Sequence, residues 1–396
     1  IFMVMQNMIC ASGGIFLTQY FGAKQKEGMR QSVAFKVVAS LSTCIFYFLA
    51  TFVFTRPVLS LMVIGNSQAD QILDEAQKYM YLMGFIGIQM MISSILSSSY
   101  REIGKVRVVL VVTILAAGLN AILNWILIYG NLGMPRLEVE GAAYATIIAK
   151  TVEMLLLIGY AIKDRPEFIS FSVFKRIDWA LFGRILKKGS LLIISQMMWV
   201  LSESFTAAIY NGRGNAAVVS GMAASFSIAN LFFISFDGIT TATGVLIGKS
   251  LGKNELNYAR KERTWMLSAA VVFGCAMGLV GMVTVVLVPV VFGNLSMDAQ
   301  NICRAMLLMM ALFMPLWTYV NTQLAVCRAG GDTKVGFLVD GGTTAVMIPM
   351  LLILAFFTNV SPVMMYFAVK ALDVGKIIVA NHELKKERWV VNLSNG

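Results

Sequence analysis

The chain has 396 residues, 13% charged and 58% hydrophobic, with a mean hydropathy of +0.75. A soluble domain carries about 25% charge, so this composition excludes one and describes a membrane protein. The net charge of +11 needs no nucleic acid, because basic loops beside anionic lipid account for it.

Apolar runs long enough to cross ~30 Å of hydrocarbon as helix lie near 1–21, 34–60, 79–100, 108–129, 141–162, 190–210, 218–248, 265–292, 302–327, 335–357 and 364–382. The alternating pattern of a membrane β-barrel is absent. The first run opens an internal repeat. Ala11–Arg30 (ASGGIFLTQYFGAKQKEGMR) aligns without gaps on Thr241–Arg260 (TATGVLIGKSLGKNELNYAR), pairing Gly14 with Gly244, Gly22 with Gly252 and Arg30 with Arg260. Further on, Arg101 and Gly104 precede Arg328 and Gly331 by a near-constant spacing. Two copies of one helical half are the architecture of secondary transporters. The second half has a longer stretch before its copy than the first, and the chain starts at Ile1. The expectation is a twelve-span protein lacking its first span: an N-terminal lobe at 1–162, a linker at 163–189, and a C-terminal lobe with its tail at 190–396.

The loops at 22–33, 101–107, 163–189, 249–264 and 328–334, with the tail after Asn381, hold most of the Lys and Arg. The opposite loops hold Lys78, Arg136 and Arg213. The first set is expected to be cytoplasmic, which places the C-terminus there too. Within the linker, Asp178–Lys188 (DWALFGRILKK) sets Trp179, Leu181, Phe182, Ile185 and Leu186 against Arg184, Lys187 and Lys188. That suits an interfacial helix or a plain connector. Cys10, Cys44, Cys275, Cys303 and Cys327 have no CxxC spacing and predict neither disulfides nor a metal site. The one histidine, His382, leaves no basis for a catalytic triad or a histidine metal set, and no GxxxxGK[ST] is present. No catalytic residue, metal or cofactor is expected, so energy must come from an ion gradient or from the substrate's own.

Ionisable groups inside spans cost at least ~2.5–3.5 kcal/mol each and are functional candidates. Along the chain these acids are Glu153, Glu203, Asp237, Asp340 and Asp373, and the cations are Lys36, Arg56, Lys150, Arg304, Lys370 and Lys376. Asp340, in FLVDGGTTAVMIP, has no basic residue within four positions, and Gly341, Gly342, Thr343 and Thr344 follow it. It is expected to bind the coupling ion, the alternative being an acid satisfied by a neighbouring helix. Glu203 lies four residues after Trp199, so charge and ring share a face that suits a lipophilic cation; a rim acid facing water is the alternative. Asp237, before Gly238, reads either as a local helix break exposing backbone to an ion or as an interhelical hydrogen bond. Lys150 and Glu153 can pair at i,i+3, and Lys370, Asp373 and Lys376 form a stripe read as structural, snorkelling towards the cytosol.

Asn120 and Asn124 put two amides on one helix face, within Leu119–Thr146 (LNAILNWILIYGNLGMPRLEVEGAAYAT). This segment resembles the multidrug and toxic compound extrusion (MATE) family: an Asn, four residues on an Asn or Asp, an aliphatic run, Gly, then a Gly-Ala-Ala-x-Ala-Thr helix start. TQYFGAK, RAGGDTK with a span Asp after it, and the terminal WVVNL fit the same family, over essentially the whole chain. The resemblance implies an all-α integral membrane fold, two homologous six-helix lobes around a central cavity, with about eleven of twelve transmembrane helices present. It also implies export of organic cations driven by Na⁺ or H⁺, and a cavity role for Asn120 and Asn124. The family often carries a carboxylate near the middle of the seventh span, where this chain has Gln196 and Trp199, with Glu203 one to two turns further out. Asn124 stands where part of the family has Asp, so Na⁺ and H⁺ both stay open.

The expected function is a cation-coupled antiporter for multidrug efflux. Its ion-coupling residues would be Asp340, Glu203 and Asp237, and its substrate cavity would be lined by Asn120, Asn124, Gln196, Trp199, Thr343 and Thr344. The alternative is a lipid-linked-oligosaccharide flippase, whose pyrophosphate headgroup would want deep Arg or Lys. The expected partners are small lipophilic cations and the bilayer of the plasma (inner) membrane, with the protein monomeric.

Overall fold

The computed structural model describes residues 2–60 and 69–395, all-helical with no strand among them. In chain order the helices are α1 (Phe2–Gly22), α2 (Lys26–Phe48), α3 (Thr55–Ser60), α4 (Ala69–Gly84), α5 (Ile86–Glu102), α6 (Val106–Tyr129), α7 (Glu138–Asp164), α8 (Trp179–Arg213), α9 (Ala216–Gly252), α10 (Leu256–Val291), α11 (Met297–Ala329), α12 (Lys334–Phe357), α13 (Pro362–Ala371) and α14 (Asp373–Lys385). Among the described residues eight helices are long and apolar enough to span a membrane, or nine if the pair formed by Ala76–Gly84 and α5, bent by 47°, is one span. The first and last of the eleven expected spans are helical but more polar. Gln6, Asn7 and Gln19 interrupt α1, and the last span is divided at Leu372 between α13 and α14. α9, with 37 residues, is roughly 55 Å long, well beyond the hydrocarbon thickness.

The chain divides into two compact units, and the division falls within two helices. Unit 1 comprises Ile1–Leu17 and Gln25–Leu186; unit 2 comprises Thr18–Lys24 and Lys187–Gly396. The last turn of α1 therefore belongs with the second unit. The amphipathic run after Asp178 is not a separate interfacial helix. It forms the first turns of α8, which continues without a stop into the next span. Asp178 caps that start, its Oδ1 accepting from the Ala180 and Leu181 amides.

The duplication is legible in backbone geometry. After α1 the Lys24 amide donates to the Phe21 carbonyl, and after α9 the Asn254 amide donates to Leu251. Lys24 and Asn254 both adopt the left-handed conformation, with φ of 57° and 64°. After α5, Gly104 donates to Arg101 and Lys105 to Tyr100; after α11, Gly331 donates to Arg328 and Asp332 to Cys327. Gly104 and Gly331 have φ of +85° and +76°, a region that glycine enters without steric cost.

In unit 1, Phe35 packs edge-on to Phe182, and Tyr100 is enclosed by Tyr160 and Phe168. Unit 2 is built on α11, buried along most of its length. Gly274, Gly278 and Gly281 let α10 approach it closely: a Cβ at Gly278 would lie 2.6 Å from the Ala311 carbonyl oxygen. Small residues at such spacing let backbones meet where hydrocarbon removes the hydrophobic drive for association. Unit 2 also contains a crossing of α1 and α9. A Cβ at Gly22 would fall 2.2 Å from the Lys249 carbonyl oxygen, and one at Gly252 would fall 1.9 Å from that of Gln19. Gly22 and Gly252 are repeat partners, and so are Gln19 and Lys249, so each contact is the image of the other.

Candidate functional site

Five charged residues of the second unit's spans, Glu203, Asp340, Lys370, Asp373 and Lys376, assemble into a ladder. α8 and α12 run parallel, because Ser195 Oγ donates to Asp340 Oδ2 at 2.8 Å and, seven residues on in both helices, Ser202 lies 3.7 Å from the Met347 sulfur. The last two helices supply the other side. Lys370, in the final turn of α13, donates to Glu203 Oε1 at 2.6 Å. Lys376 of α14 lies 3.8 Å from Asp340 Oδ1 and 3.1 Å from Asp373 Oδ1. The Trp317 indole of α11 donates to Asp373 Oδ2 at 2.8 Å. A further rung joins Gln323 Nε2 to Asn381 Oδ1 at 2.6 Å. The half-buried Arg328 guanidinium, its Nε enclosed, adds positive charge beside Asp340.

This corrects two expectations. Asp340 has no partner on its own helix but is not unpaired: Lys376, 36 residues later, meets it across the lobe. The Lys370/Asp373/Lys376 stripe does not snorkel out. Its side chains keep only 14%, 10% and 18% of their exposure and point at Glu203, Trp317 and Asp340. The stripe is legible in the sequence but its role is not, because i,i+3 spacing identifies a helix face and not what that face meets. Ser195, Trp317 and Arg328 gave no sequence signal for this site.

Trp199 is 45% exposed, while the rings near Glu203 come from elsewhere. A pocket of about 190 Å³ is lined among others by Glu203, Thr206, Tyr210, Met222, Phe226 and Tyr366. The Tyr210 and Tyr366 rings lie 6.2 Å apart, Phe226 stands edge-on to Tyr366 at 6.0 Å, and Lys370 Nζ lies 5.4 Å from the Tyr366 ring centroid. Gln196 is half-buried on α8. Thr343 returns its hydroxyl to the Val339 carbonyl, as helix threonines commonly do, and Thr344 is half-buried. At Asp237, of the two readings the local break is absent: α9 is one continuous helix there, Asp237 is exposed, and Thr240 bonds back to the Phe236 carbonyl.

Unit 1 holds its own polar sites. Asn124 Nδ2 donates to Asn120 Oδ1 at 3.0 Å, so the two amides are partly satisfied by each other. Lys150 and Glu153 pair at 2.7 Å, as their spacing indicated. Lys36 is fully buried, and its ammonium donates to Glu102 Oε2 at 2.6 Å and to the Ser98 and Ser99 hydroxyls at 3.0 and 3.2 Å. Gly13 and Gly14 make room for this group: a Cβ at Gly14 would fall 2.1 Å from Glu102 Oε1. Glu102 sits in the last turn of α5 and reads as a loop acid in the sequence.

Outside the spans, the tail after α14 is strapped onto helix ends of unit 2. The Trp389 ring is fully buried, its carbonyl packs against Gly330, and the Leu393 amide donates to Gln19 Oε1 at 2.6 Å. Gln19 Nε2 in turn donates to the Ala329 carbonyl at 2.7 Å. Arg260 grips Glu387 through Nε and Nη2 and holds that carboxyl below its usual range. Its repeat partner Arg30 grips the equivalent place in unit 1, donating to the Glu167 carbonyl at 3.2 Å.

Known proteins share this architecture. The MatE family profile matches residues 1–126 and 192–353. A probable multidrug resistance protein NorM of Halalkalibacterium halodurans is 23% identical over 330 residues, 82% of this chain and 70% of that protein. A second, from Rhizobium meliloti, is 26% identical over 256 residues, 63% of this chain and 53% of that protein. Among solved structures, a MOP superfamily transporter from Pyrococcus furiosus superposes with a TM-score of 0.84 at 16% identity, covering 98% of this chain and 85% of that one. The Vibrio cholerae MATE transporter VcmN in its bent form gives 0.80 at 17% identity, covering 98% and 87%. The family match runs through both halves, and the two-lobed all-helical fold is shared. The chain belongs to the MatE family: it is a multi-pass membrane transporter and not an enzyme.

Proposed function

We propose that this protein exports small lipophilic cations by alternating access, driven by Na⁺ or H⁺ moving the other way. The observation that carries the reading is the ladder of Glu203, Asp340 and Asp373 against Lys370 and Lys376, beside an apolar, aromatic pocket. The multidrug resistance names of the relatives support it. A proton or Na⁺ taken up by the Asp340/Asp373 pair loosens their hold on Lys376. Lys370 lies six residues away on the same broken span, so the change reaches the Glu203 pocket. Coupling then follows from differential binding of ion and drug, typically ~1–3 kcal/mol and reciprocal. Asn120 and Asn124 would line the drug path in the first lobe. We further propose a monomer in the plasma membrane with a cytoplasmic C-terminus.

The flippase reading is less well supported. Lys370 and Lys376 each face a carboxylate, leaving no surplus positive charge for a pyrophosphate. The test is efflux of a fluorescent cation from energised cells carrying the full-length protein. Asp340→Asn should largely abolish efflux at equal expression while leaving the protein folded. Undiminished efflux would make Asp340 structural.

A further inference from the structure

Glu203, on the wall of the aromatic pocket, is already paired with a cation of the chain's own. Lys370 Nζ lies 2.6 Å from the Glu203 carboxylate and 5.4 Å from the Tyr366 ring centroid. A carboxylate on one side and an aromatic face on the other is how proteins recognise ammonium ligands. Phe226 and Tyr210 extend the ring wall, and the Tyr210 hydroxyl is buried without a hydrogen-bond partner. At about 190 Å³ the pocket is smaller than the ~300–1,000 Å³ of a drug-sized site, so it fits one cationic head and not a whole drug.

We propose that this pocket is an organic-ammonium subsite and that Lys370 is a tethered competitor, which a cationic substrate must displace from Glu203. The proposal rests on the cation-export reading and adds the residue that sets its affinity. The geometry allows the exchange. Lys370 hangs on a flexible four-carbon stem in the last turn of α13, just before the chain breaks at Leu372. Asp373, one turn on, offers the displaced ammonium a carboxylate. Incoming and outgoing groups carry the same charge, so Glu203 is never left unpaired. An internal competitor lowers apparent affinity by the fraction of time the site is free. It therefore favours release as well as selectivity.

The test uses the full-length protein in detergent, with benzyltrimethylammonium binding measured by calorimetry. If Lys370 holds the site about 90% of the time, Lys370→Met should bind about tenfold more tightly than the parent. Lys370→Arg should stay near the parent, and Glu203→Gln should lose binding. A second arm covers poor folding of the methionine variant. Lys370→Ala should be stabilised against thermal unfolding, saturably, by n-propylammonium, which replaces the missing ammonium, while the parent is not. If Lys370→Met binds no tighter and propylammonium stabilises Lys370→Ala no more than the parent, the tethered competitor is overturned. Loss of binding in Glu203→Gln would then still leave a cation pocket. If benzyltrimethylammonium binds neither the parent nor any folded variant, the export reading itself falls.

Discussion

At the residue scale, Lys36 shows how a buried charge is made tolerable. Its ammonium has three partners, and Gly13 and Gly14 give up side-chain volume to it. Breaking a buried pair costs more than never having had one, because the remaining charge keeps its desolvation penalty. Lys36→Met should therefore lower stability by about 3–5 kcal/mol, and Lys36→Met with Glu102→Gln by clearly less. Thermal unfolding of both purified variants checks this; equal losses would mean the two groups are not coupled. Lys36 was visible in the sequence as a span cation. Its partner was not, because 66 residues separate them and only packing brings α2 to α5.

Among the elements, the α1–α9 crossing tolerates no side chain on either glycine. Gly252→Ala would drive a Cβ into the Gln19 carbonyl, backbone against backbone, so neither side can yield by a rotamer change. Overpacking of this kind typically costs 1–3 kcal/mol. Gly244→Ala, where a Cβ would meet nothing within 4 Å, should be neutral or mildly stabilising. Melting temperatures of the two variants compare them directly. The tail strap has a pH signature. Glu387 loses its proton at lower pH when folded than when unfolded, because Arg260 hydrogen-bonds its carboxylate. The clasp's contribution is thus complete above the unfolded carboxyl's pKa of about 4.3 and is lost as pH falls below it. The parent should be more stable than Glu387→Gln at neutral pH, with the gap closing in acid. The pair is half-buried and still reached by solvent, so the gap is small.

For the whole molecule, orientation follows from the basic loops. Residues 22–33 and 249–264 occupy equivalent places in the repeat and should face the same, cytoplasmic side. Single cysteines replacing Lys26 and Lys253, in a background without the five native ones, should both resist a membrane-impermeant thiol reagent in intact cells. Labelling of one alone would break the equivalence of the halves.

Membrane spans and the duplication were readable from the chain, because hydropathy and repeat spacing are local or strictly periodic properties. The turn geometries repeat as the aligned glycines indicate, and Lys150 meets Glu153 because both sit on one helix face. The site was decided by tertiary structure. Asp340 lacks a partner within four residues of sequence, yet Lys376 reaches it; Lys370 likewise reaches Glu203 across 167 positions, and Trp199 yields its expected role to Tyr366. A helix's own spacing says which side chains share a face. Only the packing of α8, α12, α13 and α14 determines which faces meet, and in a low-dielectric interior that choice settles whether a charge is a free ligand site or half of a pair.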